Sequence, residues 1–257
     1  MLNIPNKSEV SNENSEGHTF CIIKLKSEEF HSLVSELVQL LPNHYIAPES
    51  IADILNRLGK GAAAKKLRDK IPSVKNIRSG DVGEVITTDY IEEFTDFTVP
   101  IRKLRWRDHR DMAMRGDDVI GIYVNQQNQS VRFLKAEAKS NKALSRAVLD
   151  NARNELDNDD GLPAPHALGF VIDRLKEIGN NQLADLIEKV QLIDGIRANQ
   201  VEHLLFTFTS SDPATLQQEA FESYVGNIKQ TSVGFRVSNH QDLIASVYKG
   251  ITDGLDD

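Results

Sequence analysis

Residues 115–140 read RGDDVIGIYVNQQNQSVRFLKAEAKS, and the reading of this stretch decides the fold. Two apolar runs rich in branched and aromatic side chains, Asp118–Val124 and Val131–Ala138, flank the polar segment NQQNQS, the composition of a hairpin. Alternation along an extended strand puts Glu137 and Lys139 on one face and Ala136 and Ala138 on the other. Pairing of the two strands then brings the Asp118 carboxylate beside Glu137. Carboxylates a few ångströms apart repel unless a cation lies between them, and oxygen-only donors suit Mg²⁺ or Mn²⁺. A metal there would bridge a scissile phosphate and acidify a water. Lys139 would orient or help deprotonate that water and stabilise the developing negative charge. E-x-K alone is commonplace. An acid-led strand, a turn, an apolar strand ending in E-x-K and a following helix are together much rarer.

Working outward, Ser79 or Asp81 can cap a helix whose apolar positions Val82, Val85, Ile86 and Ile91 run towards Phe94. Phe97–Leu104 is a further strand candidate. Beyond the hairpin, Leu144–Leu156 reads as a helix and His166–Leu192 as mostly helix. His203–Thr209 is a β-prone run, Leu216–Val225 a helix, and Val233–Val237 a short strand before a last helix. The order is that of an α/β protein with a mixed sheet flanked by helices. Before the hairpin, residues 1–18 are polar and aperiodic, the signature of a frayed end. Phe20–Leu25 is a short strand and Glu28–Leu41 an amphipathic helix expected to stop before Pro42. A helix from Pro48 to Gly59 and a basic helix from Gly61 to Pro72 resemble a helix-turn-helix, a pattern that more often marks a packing unit than a DNA reader.

The helix–strand–strand–strand–helix–strand core, with an acid and E-x-K on its hairpin, resembles the PD-(D/E)xK nuclease superfamily. That resemblance implies a restriction-endonuclease-like mixed sheet and a supporting acid on the preceding helix, where Gly83-Glu84-Val85 offers Glu84. The proline of the motif is absent, since Gly116-Asp117-Asp118 stands there. Asp118 is favoured as the metal ligand because Val119 and Ile120 follow it directly, with Asp117 as the alternative. At closer range RGDDVIG and FLKAEAKS, with GEV upstream and a small N-terminal helical region, are similar to the HamA effector nucleases of the bacterial Hachiman anti-phage system. The resemblance implies a DNase of little sequence specificity, using Mg²⁺ or Mn²⁺ and restrained by a superfamily 2 helicase, HamB. It makes Asp118, Glu137, Lys139 and Glu84 the catalytic candidates, with Asp118, Glu137 and Glu84 holding metal. Arg115, Lys142 and Arg146 are the candidate substrate contacts. It also divides the chain into a mainly helical region, 1–74, for partner or DNA docking and a nuclease-like domain, 75–257.

Charge tests a DNA-cutting reading. The chain has 257 residues and a formal net charge of −8, with a pI near 5.4. Residues 57–149 carry 19 Lys and Arg against 12 Asp and Glu, or +7, while the remainder carries 11 against 26, or −15. A local basic footprint on an acidic body is compatible with phosphate binding. The single cysteine, Cys21, excludes a disulfide framework and suits a reducing, cytoplasmic setting, and no stretch has the length and apolarity of a membrane span. GKGAAAKK lacks P-loop spacing, so no nucleotide cofactor is expected. LDNDDG fails as a calcium loop, because Leu156 and Ala167 fall where the first and closing ligands belong. The competing reading is a non-catalytic DNA- or protein-binding adaptor on the same scaffold.

Overall fold

A computed structural model describes residues 1–15 and 17–256. Six strands form one mixed sheet: β1 (Ser8–Ser15), β2 (His18–Leu25), β3 (Val119–Val124), β4 (Val131–Asn141), β5 (Val201–Thr209) and β6 (Lys229–Arg236), in the order β1-β2-β6-β5-β4-β3. The four inner strands run parallel, and β1 and β3 close the two edges antiparallel. β5, VEHLLFTFT, is nearly continuously apolar because helices cover both its faces. The hairpin forms as expected, with Val124 opposite Val131 and Val119 opposite Ala136.

Helices α1 (Phe30–Tyr45), α4 (Lys75–Phe94) and α9 (His240–Asp256) share one core with Cys21, Ile23, Ala136, Phe206 and Phe235. The opposite face of the hairpin end packs on α6 (Pro165–Glu177) and α7 (Asn181–Lys189), through Ile120, Ile122 and Phe133. α5 (Arg146–Asp157) and α8 (Ala214–Glu222) cover the same side nearer the sheet centre. The short helices α2 (Pro48–Leu58) and α3 (Lys60–Lys70) meet at Gly59, whose φ of +82° is the conformation glycine tolerates best. The described residues of 1–74 thus supply two strands of the shared sheet as well as three α-helices. No helix among the described residues is long and apolar enough to cross a membrane.

Several sequence expectations require correction. The frayed end is in fact anchored: Leu2 and Ile4 are buried, the Leu2 N–H donates to Asp89 Oδ2 at 2.7 Å, and β1 pairs with β2 (Glu16, within that stretch, lies outside the described residues). An edge strand held by main-chain bonds needs no apolar period, which is why SEVSNENS looked structureless. α1 runs through Pro42, because the buried stripe Leu33, Leu37, Leu41 continues to Tyr45 and outweighs the lost main-chain bond. α4 begins at Lys75, so neither Ser79 nor Asp81 is a cap; both are one or two turns inside it. His166–Leu192 is broken at Gly179, φ +80°, into α6 and α7.

The largest correction concerns Phe97–Leu104. It is no strand: only Thr98 bridges to Ile122, and Lys103–Trp106 forms a 3₁₀ turn. Its apolar residues serve opposite sides of the sheet. Phe97, Val99 and Leu104 enter the α4-side core, while Ile101 joins the α6 side, where Trp106, just beyond the segment, also packs. The segment therefore wraps around the edge of β3 instead of extending the ladder.

Candidate active site

The β3–β4 ladder ends at the Val119–Ala136 pair, but β4 continues to Asn141 with only β5 beside it. Five residues of β4 thus present an open edge, and the candidate site is built there. Asp118, the last residue before β3, turns its carboxylate into the gap, and Oδ2 accepts the Ala138 N–H at 3.0 Å. Glu84 arrives from α4, which packs closely enough that a Cβ on Gly83 would lie 3.0 Å from Ser140 Cβ. Glu137 and Lys139 project by alternation to the opposite, α5-facing side, and Lys139 Nζ donates to Glu137 Oε1 at 2.5 Å. The hairpin thus places Asp118 between an acid above the sheet and an acid below it.

A fifth group, Lys103, lies between Glu84 and Asp118. Its ammonium is 3.6 Å from Glu84 Oε2 and 3.7 Å from Asp118 Oδ1, and donates to the Asp117 carbonyl at 2.9 Å. Burial opposes its charge, yet Glu84, Asp118, Glu137 and Asp117 together raise its pKa above the usual lysine value. Burial pushes Glu84 up to about 8, Lys103 opposing and Asp118 and Asp81 adding to the rise. Burial and the neighbouring Asp118 push Glu137 up to about 7, against Lys139. Burial and repulsion between carboxylates at one open strand edge are the electrostatic conditions that favour cation binding.

The pair Asp117–Asp118 divides its work. Asp117 Oδ2 accepts the Ala164 N–H at 2.8 Å, and its Oδ1 is 3.6 Å from Lys135 Nζ. Lys135, itself 1% exposed, also donates to the carbonyls of Asn158 (2.7 Å) and Leu162 (3.0 Å). Asp117 is thereby engaged in tying the 158–164 loop to the hairpin, while Asp118 faces Glu84 and Lys103. One turn before Glu84, Asp81 is buried against Arg107, whose Nη1 donates to Oδ2 at 2.9 Å, and receives the Tyr45 hydroxyl at 2.6 Å. Tyr45 in turn meets the Tyr248 hydroxyl at 2.6 Å. This network locks the helix that carries Glu84 to α1, to α9 and to the Lys103 segment.

Of the substrate-contact candidates, Arg115 is exposed and lines the same cavity as Glu84, Lys103 and Asp118. Arg146 is paired with Asp150 at 2.9 Å on its own helix, and Lys142 is exposed just beyond β4. Trp106, inside the basic run, is engaged with Glu177 at 3.0 Å and with Phe170. Sequence reading grouped Lys103 with the general basic footprint and passed over Lys135. The period of two that pairs Glu137 with Lys139 also puts Lys135 on their face, so that signal was present; Lys103 had none, because its placement depends on a loop crossing the sheet edge.

The donor set is chemically suited to a hard divalent cation, being three carboxylates in which Asp118 raises the pKa of both others. Among the described residues, however, no group of three or more His, Cys, Asp and Glu side chains converges closely enough to hold an ion as placed. The ammonium groups of Lys103 and Lys139 lie against those carboxylates instead.

The molecule is an α/β protein whose mixed sheet is flanked by helices, an arrangement consistent with a nuclease-like fold. The HamA family model matches residues 2–251, and the chain belongs to the HamA family. A relative, Hachiman protein HamA of Bacillus cereus, is 29% identical over 120 residues, which is 47% of this chain and 41% of that protein. The similarity to this relative thus spans less than half of either chain.

Proposed function

We propose that the protein is a metal-dependent DNase, the effector of a bacterial anti-phage defence system, cutting phosphodiester bonds with little sequence specificity under the control of a helicase partner. The observation that carries this reading is the open edge of β4, where Asp118 shares the Lys103 ammonium with Glu84 and the Glu137–Lys139 pair lies just beyond the end of the β3–β4 ladder. Membership of the HamA family and the Hachiman name of the relative support the defence role. The chemistry is hydrolysis: water adds its oxygen to phosphorus, one P–O ester bond breaks, and the leaving oxygen takes a proton. Asp118 and Glu137, with Glu84, would hold Mg²⁺ or Mn²⁺, which when bound supplies Lewis acidity to the phosphate and the attacking water. Lys139 orients the water through its hydrogen bonds and offsets charge on the phosphate oxygens. Arg115, exposed on the cavity lining, would meet the DNA backbone, as would Lys142 and Arg146.

The helical part of residues 1–74 is the proposed docking surface for a superfamily 2 helicase of the HamB kind. α2 buries none of its residues and α3 is strongly basic. A cytoplasmic setting follows from the proposed role. The alternative, a non-catalytic adaptor, draws on the lack of three convergent ligand side chains among the described residues. Incubating the full chain with linear DNA, circular DNA and RNA, in Mg²⁺ or in EDTA, tests the reading. The proposal expects Mg²⁺-dependent loss of DNA; no loss of DNA under any condition, with the helicase absent or present, favours the adaptor.

A further inference from the structure

Resting on the metal-dependent reading above, we infer that Lys103 is a built-in counter-ion that holds Glu84 and Asp118 together in the metal-free protein and is displaced when a divalent cation enters. Three observations carry it. Its ammonium stands 3.6 and 3.7 Å from one oxygen of each carboxylate, and so is shared by the two. It is nearly buried, with a side chain 13% exposed, so this charge is committed to the site and contributes little to the outer surface. And it has somewhere to go. Glu84, Lys103, Met114 and Asp118 all line two cavities, of about 180 Å³ and about 150 Å³.

The physical need is clear. Two partly buried carboxylates close to each other without a cation repel, and a site that is empty for part of its life has to remain folded. A lysine meets that need as a compact charge on a flexible four-carbon stem that can retract by rotation. The same device sets a threshold, because an incoming ion must win the carboxylates from a tethered competitor. Lys103 is thus a positioning residue, distinct from Lys139, which lies on the other side of Asp118 beside Glu137.

Its backbone is well anchored for this. Arg102 pairs with Glu92 at 2.6 Å, Arg105 donates to the Asn43 carbonyl at 2.9 Å, and Lys70 Nζ donates to the Arg105 carbonyl at 3.0 Å. Only the side chain is left to move.

The test uses Mn²⁺ alone as the probe on the full chain, without DNA. Calorimetric titration of Lys103→Met should give Mn²⁺ binding tighter than wild type by on the order of tenfold, since a competing unit charge has been removed. Its thermal midpoint should be lower than wild type without metal and should rise more on adding Mn²⁺. In the wild-type protein, amine-reactive labelling read by mass spectrometry should find Lys103 protected without metal and labelled with it. This second measurement decides the matter even if the variant does not fold. Mn²⁺ that stabilises the wild type while leaving Lys103 protected, or that binds Lys103→Met no more tightly, overturns the displacement and leaves the nuclease reading intact. No Mn²⁺ binding by either protein overturns both.

Discussion

Asp117 and Asp118 are neighbours in the chain whose carboxylates serve different partners. Asp117 is bound to the Ala164 N–H and faces Lys135, whereas Asp118 bonds the Ala138 N–H and faces Lys103. Their isosteric amides should therefore separate structure from chemistry. Asp117→Asn leaves the buried Lys135 ammonium without its counter-charge and should lose about 1–3 kcal/mol of folding stability. Asp118→Asn should fold with a smaller loss and be inactive on DNA. Denaturant titration and digestion of the two proteins side by side check both. The reverse pattern would move the ligand assignment to Asp117.

The Asp81–Arg107 ion pair is a second structural element within reach of the site. Both side chains are about 5% exposed, and Asp81 also receives the Tyr45 hydroxyl. Arg107→Ala leaves a buried carboxylate uncompensated and should cost about 3–5 kcal/mol. The double variant Asp81→Asn/Arg107→Met should cost less than the single one, because it removes the stranded charge. A double variant as unstable as the sum of the singles would contradict this.

His203 gives the clearest pH dependence. Burial holds its pKa down at about 4, and its Nε2–H donates to the Gly161 carbonyl at 2.8 Å. The ordinary histidine value is near 6.5, so between about pH 6.5 and 4 the unfolded chain binds more protons at this residue than the folded one. Stability contributed by His203 is thus full above pH 6.5 and falls as pH falls towards 4. His203→Gln should be destabilised most at pH 7, with the gap to wild type narrowing by pH 4.5. A gap that stays constant with pH would show that the histidine does not remain neutral in the fold.

Gly121 sits in mid-strand where Phe97 crosses the sheet edge. A Cβ there would lie 3.0 Å from Phe97 Cβ and 3.1 Å from Leu134 Cβ. Gly121→Ala should lower stability by about 1–3 kcal/mol and disturb the segment that positions Lys103. Thermal unfolding with and without Mn²⁺ measures both effects.

These contacts show what the sequence could and could not reveal. The hairpin was legible because period-two alternation and a polar turn are local signals, and the same alternation paired Glu137 with Lys139. Glu84 was legible through the resemblance, since nothing in GDVGEV alone points at a strand end. Lys103 was not legible: its segment looked like a strand because apolar residues alternate, but they do so to reach two cores around an edge. β1 escaped because main-chain pairing at an outer edge leaves no hydrophobic trace. Asp81 looked like a cap because the residue type fits, whereas its partner, Arg107, lies 26 residues away.

The proposed nuclease activity is assigned to the open edge of β4. The most direct measurement is cleavage of plasmid DNA in Mg²⁺ by the wild type, Glu137→Gln and Lys139→Met at equal concentration, each first shown to unfold cooperatively. The wild type should degrade the plasmid, and both variants should lose at least about a hundredfold in rate, in line with the removal of a group that acts in the transition state. Cleavage by both variants at the wild-type rate would contradict the account.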